Sequence, residues 1–204
     1  MSEASEPRGV GRATVERRTE ETAVRVALEL WPRAPRIQVR TGLGFLDHMW
    51  TALAHHGGLG LEVEASGDLH VDDHHTVEDV ALGLGSAFDE ALGDRAGIAR
   101  FGHAYVPMDE TLARSAVDLV ARPFAVVQPG FRREMLGQVA TESLTHALES
   151  FATRSRITLH VEVLYGVNDH HRAEASFKAV GRALRMALAR TGGSAAPSTK
   201  GTMG

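Results

Sequence analysis

The stretch "VDDHHTVEDV" sets His74 and His75 side by side, with Glu78 three residues after the second. "GVNDHHRAEASF" returns the same spacing at His170, His171 and Glu174, 96 residues further on. A helix advances about 100° per residue, so adjacent imidazoles diverge and do not readily share one ion. Residues at i and i+3 share a face, which pairs His75 with Glu78 and His171 with Glu174. His74 and His170 are then free to reach a different ion. A single pentad of this kind is ordinarily a solvated polar face of a helix. Two copies in matched surroundings argue for two metal sites, each short of a donor. His48 and His146 supply that donor, each in an amphipathic stretch just before its pentad.

The expected grouping crosses the two copies. One site takes His48, His75, Glu78 and His170, and the other takes His74, His146, His171 and Glu174. Imidazoles and carboxylates without sulfur suit Mn, Fe, Zn or Ni. Asp73 and Asp169, which precede the pairs, could orient a ligand imidazole or cap a helix, the cap being favoured. His55, His70, His103 and His160 read as surface or hydrogen-bonded histidines, and His56 stands between the two readings.

The elements that hold these donors are doubled as well. "RRTEETAVRVALEL" aligns with "VPMDETLARSAVDL", matching Glu21-Thr22 to Glu110-Thr111. The periods of hydrophobicity change in the same order in residues 8–97 and 98–192. Alternation predicts strands over 22–30, 36–40, 60–66, 101–107, 111–120, 123–128 and 156–165. The 3.6-residue period predicts helices over 45–56, 73–92, 138–152 and 169–190. Each half therefore reads as βββαβα, giving an α+β type of α/β chain with helices packed between two sheets. Residues 1–7 and the Gly/Ser-rich 193–204 are expected to be flexible ends.

Composition agrees with a globular chain and narrows its partners. Hydrophobic residues make up 43% and charged residues 24% of 204 residues, which permits a core. The net charge of −4 argues against nucleic acid, and no apolar run is long enough to span a membrane. There is no cysteine, so thiolate ligands and disulfides are excluded. "MSEASEPRGVGR" lacks an apolar core and resembles no secretory or transit peptide, so a cytoplasmic protein is expected.

"FLDHM", "DDHHTVEDVALGLG", "GHAYVPMDET", "GVNDHHRAEASFKA" and "STKG" together resemble the imidazoleglycerol-phosphate dehydratase family of histidine biosynthesis. The resemblance runs from about Arg12 to Gly201. It implies duplicated half-domains of the ribosomal-S5-domain-2-like type and two Mn(II) ions per active site. It also implies a homo-oligomer of twenty-four chains with active sites at subunit interfaces. No ligand position departs from the pattern, although Trp50 stands where a smaller apolar residue is common.

The implied reaction is loss of water from D-erythro-imidazole-glycerol phosphate, giving imidazole-acetol phosphate. The hydrogen to be removed is not acidic, and hydroxide leaves poorly. Two Lewis acids at the ring nitrogens would stabilise an imidazolate, which can expel the hydroxyl through a diazafulvene. The resemblance makes Glu21 the proton-transfer group, and His74 and His171 catalytic through the metals they hold. It places Arg100, Arg122, Lys178, Ser198 and Lys200 at the substrate phosphate, with the C-terminal tail contributing. His56 and Ser176 become further substrate contacts, and Glu110 stays structural. Two other readings remain open at this point: a dinuclear metal phosphohydrolase, and a non-enzymatic metal-binding protein whose histidines staple subunits.

Overall fold

The computed structural model describes residues 11–192. The flexible ends expected at 1–7 and 193–204, and with them Ser198 and Lys200, lie outside the described residues. The first half runs β1 (Arg12–Arg18), β2 (Thr22–Glu29), β3 (Ile37–Arg40), α1 (Gly44–Gly57), β4 (Gly60–Gly67) and α2 (His74–Leu92). The second runs β5 (Phe101–Met108), β6 (Thr111–Asp118), β7 (Phe124–Gln128), a small hairpin of β8 (Met135–Leu136) and β9 (Val139–Ala140), then α3 (Thr141–Arg154), β10 (Thr158–Tyr165) and α4 (Asp169–Ala187). The order βββαβα is thus present twice.

The two main sheets have equivalent topology, β1-β2-β4-β3 and β5-β6-β10-β7. β3 runs parallel to β4 and β7 parallel to β10, while the other neighbours are antiparallel. A parallel pair needs a crossover, and α1 and α3 provide it. Alternation decides which face of each sheet is covered. In β2, Thr22, Val24, Val26 and Leu28 are buried, and the residues between them are not. α2 lies on β1 and β2, α4 lies on β5 and β6, and the helices meet each other as α1 with α4 and α2 with α3. The four helices therefore fill the space between the sheets. The apolar stripe of α2 (Val77, Val80, Ala81, Leu84, Phe88, Ala91) is buried, as is that of α4 (Phe177, Val180, Leu184, Leu188). One apolar cluster joins both halves, from Val24 to Leu188.

Both helix crossings depend on a glycine. A Cβ on Gly181 of α4 would lie 2.4 Å from the Leu53 carbonyl oxygen of α1 and 3.0 Å from the Gly57 nitrogen. A Cβ on Gly85 of α2 would lie 2.9 Å from the Phe151 carbonyl oxygen of α3 and 3.0 Å from the Ser155 nitrogen. The four partners are repeat equivalents, so the same close approach is built twice. Trp50 occupies the space between these pairs. It is fully buried, with ring centroids 5.3 Å from Phe177 and 5.9 Å from Phe151, and its indole Nε1 has no hydrogen-bond partner.

Two features differ from the sequence reading. β1 had no segment of its own among the predicted strands, because its exposed polar residues mask the alternation. The helix predicted from residue 138 begins at Thr141, since the preceding residues form the β8–β9 hairpin.

Candidate metal centre and active site

Each helix crossing carries one group of donors. His48 of α1 meets His170 and Glu174 of α4. His74 and Glu78 of α2 meet His146 of α3. In each group one ligand atom per residue lies within 4.8 Å of the others. In the first group, Glu174 Oε2 is 3.1 Å from both His48 Nε2 and His170 Nε2, and Lys178 Nζ donates to Glu174 Oε1 at 2.7 Å. Burial pushes the Glu174 carboxyl up, but its bonds to Lys178 and His48 outweigh this and bring it down to about 2. In the second group, His146 Nε2 is 3.0 Å from Glu78 Oε1 and 3.3 Å from the Ser150 hydroxyl, and the His74 and His146 rings stack 5.2 Å apart.

This corrects the expected grouping, in which Glu78 accompanied His48 and Glu174 accompanied His146. The two glutamates change places. The reason lies in the helix: His74–Glu78 and His170–Glu174 are spaced i, i+4, which shares a face as well as i, i+3 does. The i, i+4 pairs point across the helix crossings, and His75 and His171 turn aside.

These outward histidines meet other carboxylates. His75 Nδ1 is 3.0 Å from Asp68 Oδ2 and 3.7 Å from Glu21 Oε2, which forms a third cluster of possible donors. The bond to Asp68 raises the His75 pKa and lowers that of Asp68. His171 Nδ1 is 2.7 Å from Glu110 Oε2. Glu110 Oε1 accepts from the Asn168 and Val167 backbone at 2.9 and 3.0 Å, and these bonds with that to His171 hold its carboxyl far below the usual range. Glu110, expected only as a structural residue, is thus bonded both to the backbone and to a pentad histidine. Sequence reasoning missed Asp68, because seven residues and a turn separate it from His75 and no helical spacing links them.

Asp73 holds the N-cap position of α2 but its side chain makes no cap bond, and Asp169 is the first residue of α4, whose N-cap is Asn168. Asp73 Oδ2 accepts from the Ala140 backbone, and Asp169 Oδ2 from those of Arg132 and Arg133. Both tie a pentad helix to the β7–α3 connection. The turns into the helices are instead bonded one residue earlier, by Asp72 to the His74 N–H and by Asn168 to the His170 N–H.

The expected substrate contacts divide into two places. His56 and Lys178 lie near the first donor group, and burial and the Lys178 charge both lower the His56 pKa. Arg100 and Arg122 are at the other end of the second sheet, beside the starts of β5 and β7. The eight residues of β10 separate that end from His170, about 25 Å at strand rise. Arg100 is held there by Asp118 in two bonds of 2.7 and 3.0 Å. Ser176, expected at the substrate, is instead buried, with its hydroxyl bonded to the Arg172 carbonyl one turn back in the helix.

Two imidazoles and one carboxylate per group, without sulfur, fit a divalent cation of the Mn, Fe or Zn kind. Three donors are fewer than such ions accept, so each group leaves coordination positions for other ligands.

A family model described as imidazoleglycerol-phosphate dehydratase matches residues 41–184. The imidazoleglycerol-phosphate dehydratase of Candida glabrata is 59% identical over 167 residues, 82% of this chain and 80% of that one. That of Roseiflexus sp. is 52% identical over 200 residues, 97% and 100% of the two chains. The crystal structure of imidazoleglycerol-phosphate dehydratase from Staphylococcus aureus superposes with a TM-score of 0.79 at 35% identity, covering 88% of this chain and 99% of that one. With its doubled βββαβα fold and repeated histidine–glutamate clusters, the chain belongs to the imidazoleglycerol-phosphate dehydratase family, hydro-lyases of histidine biosynthesis.

Proposed function

We propose that the chain converts D-erythro-imidazole-glycerol phosphate to imidazole-acetol phosphate, and that its two donor groups serve the two nitrogens of the substrate ring. The observation that carries this reading is the pair of repeat-related His-His-Glu groups, one on each helix crossing. When bound, two divalent cations such as Mn(II) would supply the Lewis acidity that lets the ring hold negative charge while hydroxide departs.

The protein's own groups do the rest. The hydroxyl leaves from the carbon attached to the ring, and a proton leaves the neighbouring carbon. The resulting enol becomes the ketone by taking up a proton. Glu21, an exposed carboxylate in the β1–β2 turn 3.7 Å from His75 Nδ1, would move a proton at those carbons in this reading. Lys178, whose Nζ donates to Glu174 Oε1 at 2.7 Å, supplies a fixed cation near the first donor group.

The site is shared between chains in this reading. His75 and His171 face away from their own chain's groups, and exposed apolar residues flank both pentads: Leu69 and Val71 before the first, Leu164, Tyr165 and Val167 before the second. A neighbouring chain's His75 and His171 would complete the two groups, and its Arg100 and Arg122 would reach the phosphate from outside. Ser198 and Lys200 of the tail would join them. A twenty-four-chain assembly with sites at subunit contacts accommodates this arrangement. Among the described residues no helix is long and apolar enough to cross a membrane.

The test supplies purified protein with imidazole-glycerol phosphate and Mn(II). The ketone product is expected. Release of free phosphate would instead indicate a hydrolase, and metal-dependent assembly without turnover would indicate a structural metal protein.

A further inference from the structure

The two halves hold their outward histidines by different means. One residue past the end of β4 stands Asp68, whose Oδ2 takes the Nδ1 of His75 at 3.0 Å. One residue past the end of β10 stands Gly166, at φ 146°, where a Cβ would lie 2.2 Å from the Thr111 hydroxyl. No side chain fits there. The carboxylate for His171 comes instead from the β5–β6 turn, where Glu110 is clamped by two backbone N–H groups and reaches Nδ1 at 2.7 Å. The repeat equivalent of Glu110 is Glu21, which stands off His75 at 3.7 Å because Asp68 already occupies Nδ1. Asp68 Oδ1 is buried without a partner, so the side-chain hydrogen bonding of Asp68 is concentrated on Oδ2 and His75.

We propose that Asp68 and Glu110 are positioning residues that fix the proton of His75 and His171 on Nδ1 and so present each Nε2 lone pair to a cation; the exposed Asp109 carboxylate, 3.6 Å from His171 Nε2, stands beyond hydrogen-bond distance, whereas Glu110 is 2.7 Å from Nδ1. This rests on the metal-dependent reading above. A neutral imidazole has one N–H and one lone pair, and a carboxylate at one nitrogen decides which is which. Because two different positions do this work, Glu21 alone of the duplicated glutamates is left free to move protons.

Asp68→Asn and Glu110→Gln test the idea. Each amide keeps the size of the side chain and can still accept a backbone N–H, but it can turn an NH2 toward Nδ1 and drive the proton to Nε2. Mn(II) affinity, measured on the whole assembly by competition with a chelator, is expected to fall about ten- to a hundredfold in each variant. The metal-free thermal midpoint should stay within a few degrees of the parent, and Asp68→Glu should recover part of the affinity. Parental Mn(II) affinity in both amide variants would overturn the proposal. So would a loss of affinity matched by an equal collapse of the metal-free midpoint in both. If the parent protein itself binds no Mn(II) or yields no ketone, the functional reading fails instead, and the two failures are distinct.

Discussion

Gly181→Ala is a demanding test of how the fold sets the donor spacing. The new Cβ would lie 2.4 Å from the Leu53 carbonyl oxygen, whereas ordinary contact begins at 3.4 Å. The α1–α4 crossing must therefore open by roughly 1 Å, because backbone cannot swing aside as a side chain can. Overpacking of this kind costs about 1–3 kcal/mol, and the better helix propensity of alanine offsets about 1 kcal/mol. A net loss of up to about 2 kcal/mol lowers the thermal midpoint of a chain this size by up to roughly 8 °C. The same opening separates His48 from Glu174, now 3.1 Å apart. Metal sites tolerate ligand displacements of only about 0.2 Å, so one of two Mn(II) equivalents should weaken by an order of magnitude or more in equilibrium dialysis. Gly85→Ala, where the nearest atoms are at 2.8–3.0 Å, needs only half that opening and should be milder at the other crossing. Two tight equivalents and an unshifted midpoint in Gly181→Ala would refute the claim that glycine sets this distance.

Glu21→Gln is expected to bind Mn(II) as the parent does but to turn over about a hundredfold or more slowly, on the usual scale of acid–base catalysis; near-normal turnover measured under saturating substrate would remove Glu21 from the reaction. Glu174 has its carboxyl lowered from 4.5 to about 2 in the folded protein, so the stability it contributes is present above pH 4.5 and disappears as pH falls toward 2. Acid titration of the metal-free protein should show this loss, Glu174→Gln should flatten it, and identical curves for the two proteins would count against the pairing with Lys178 and His48. His74→Ala should lose the ion of the α2–α3 crossing together with activity, and a variant that still holds two ions per chain would discard that donor group.

Much of this arrangement is legible in the sequence. The duplication, the order of the predicted strands and helices and the six donors gathered at the two crossings follow from spacing and repetition, which are local properties of the chain. Pairing across helices is not local. The i, i+3 and i, i+4 options are equally good on an isolated helix, and only the angle at which α2 meets α3 and α4 meets α1 selects the second. For the same reason Asp68 escaped notice, as did the anchoring of Asp73 and Asp169 to the β7–α3 connection. β1 was hidden by its exposed face, and Ser176 carried no sign that its hydroxyl would bond back into its own helix.

Each crossing joins a helix of the first half to a helix of the second, so neither half owns a complete set of donors. A polypeptide emerging from the ribosome can assemble the α2–α3 group once α3 has been made and has docked, but the α1–α4 group only after α4, its last helix. Ion capture at that second centre is thereby postponed to the end of synthesis, and a truncated product lacking α4 would be left with the α2–α3 group alone. A lone half that paired with its own twin would rebuild both crossings with identical partners, which is the symmetric dimer from which a fused gene of this design could descend.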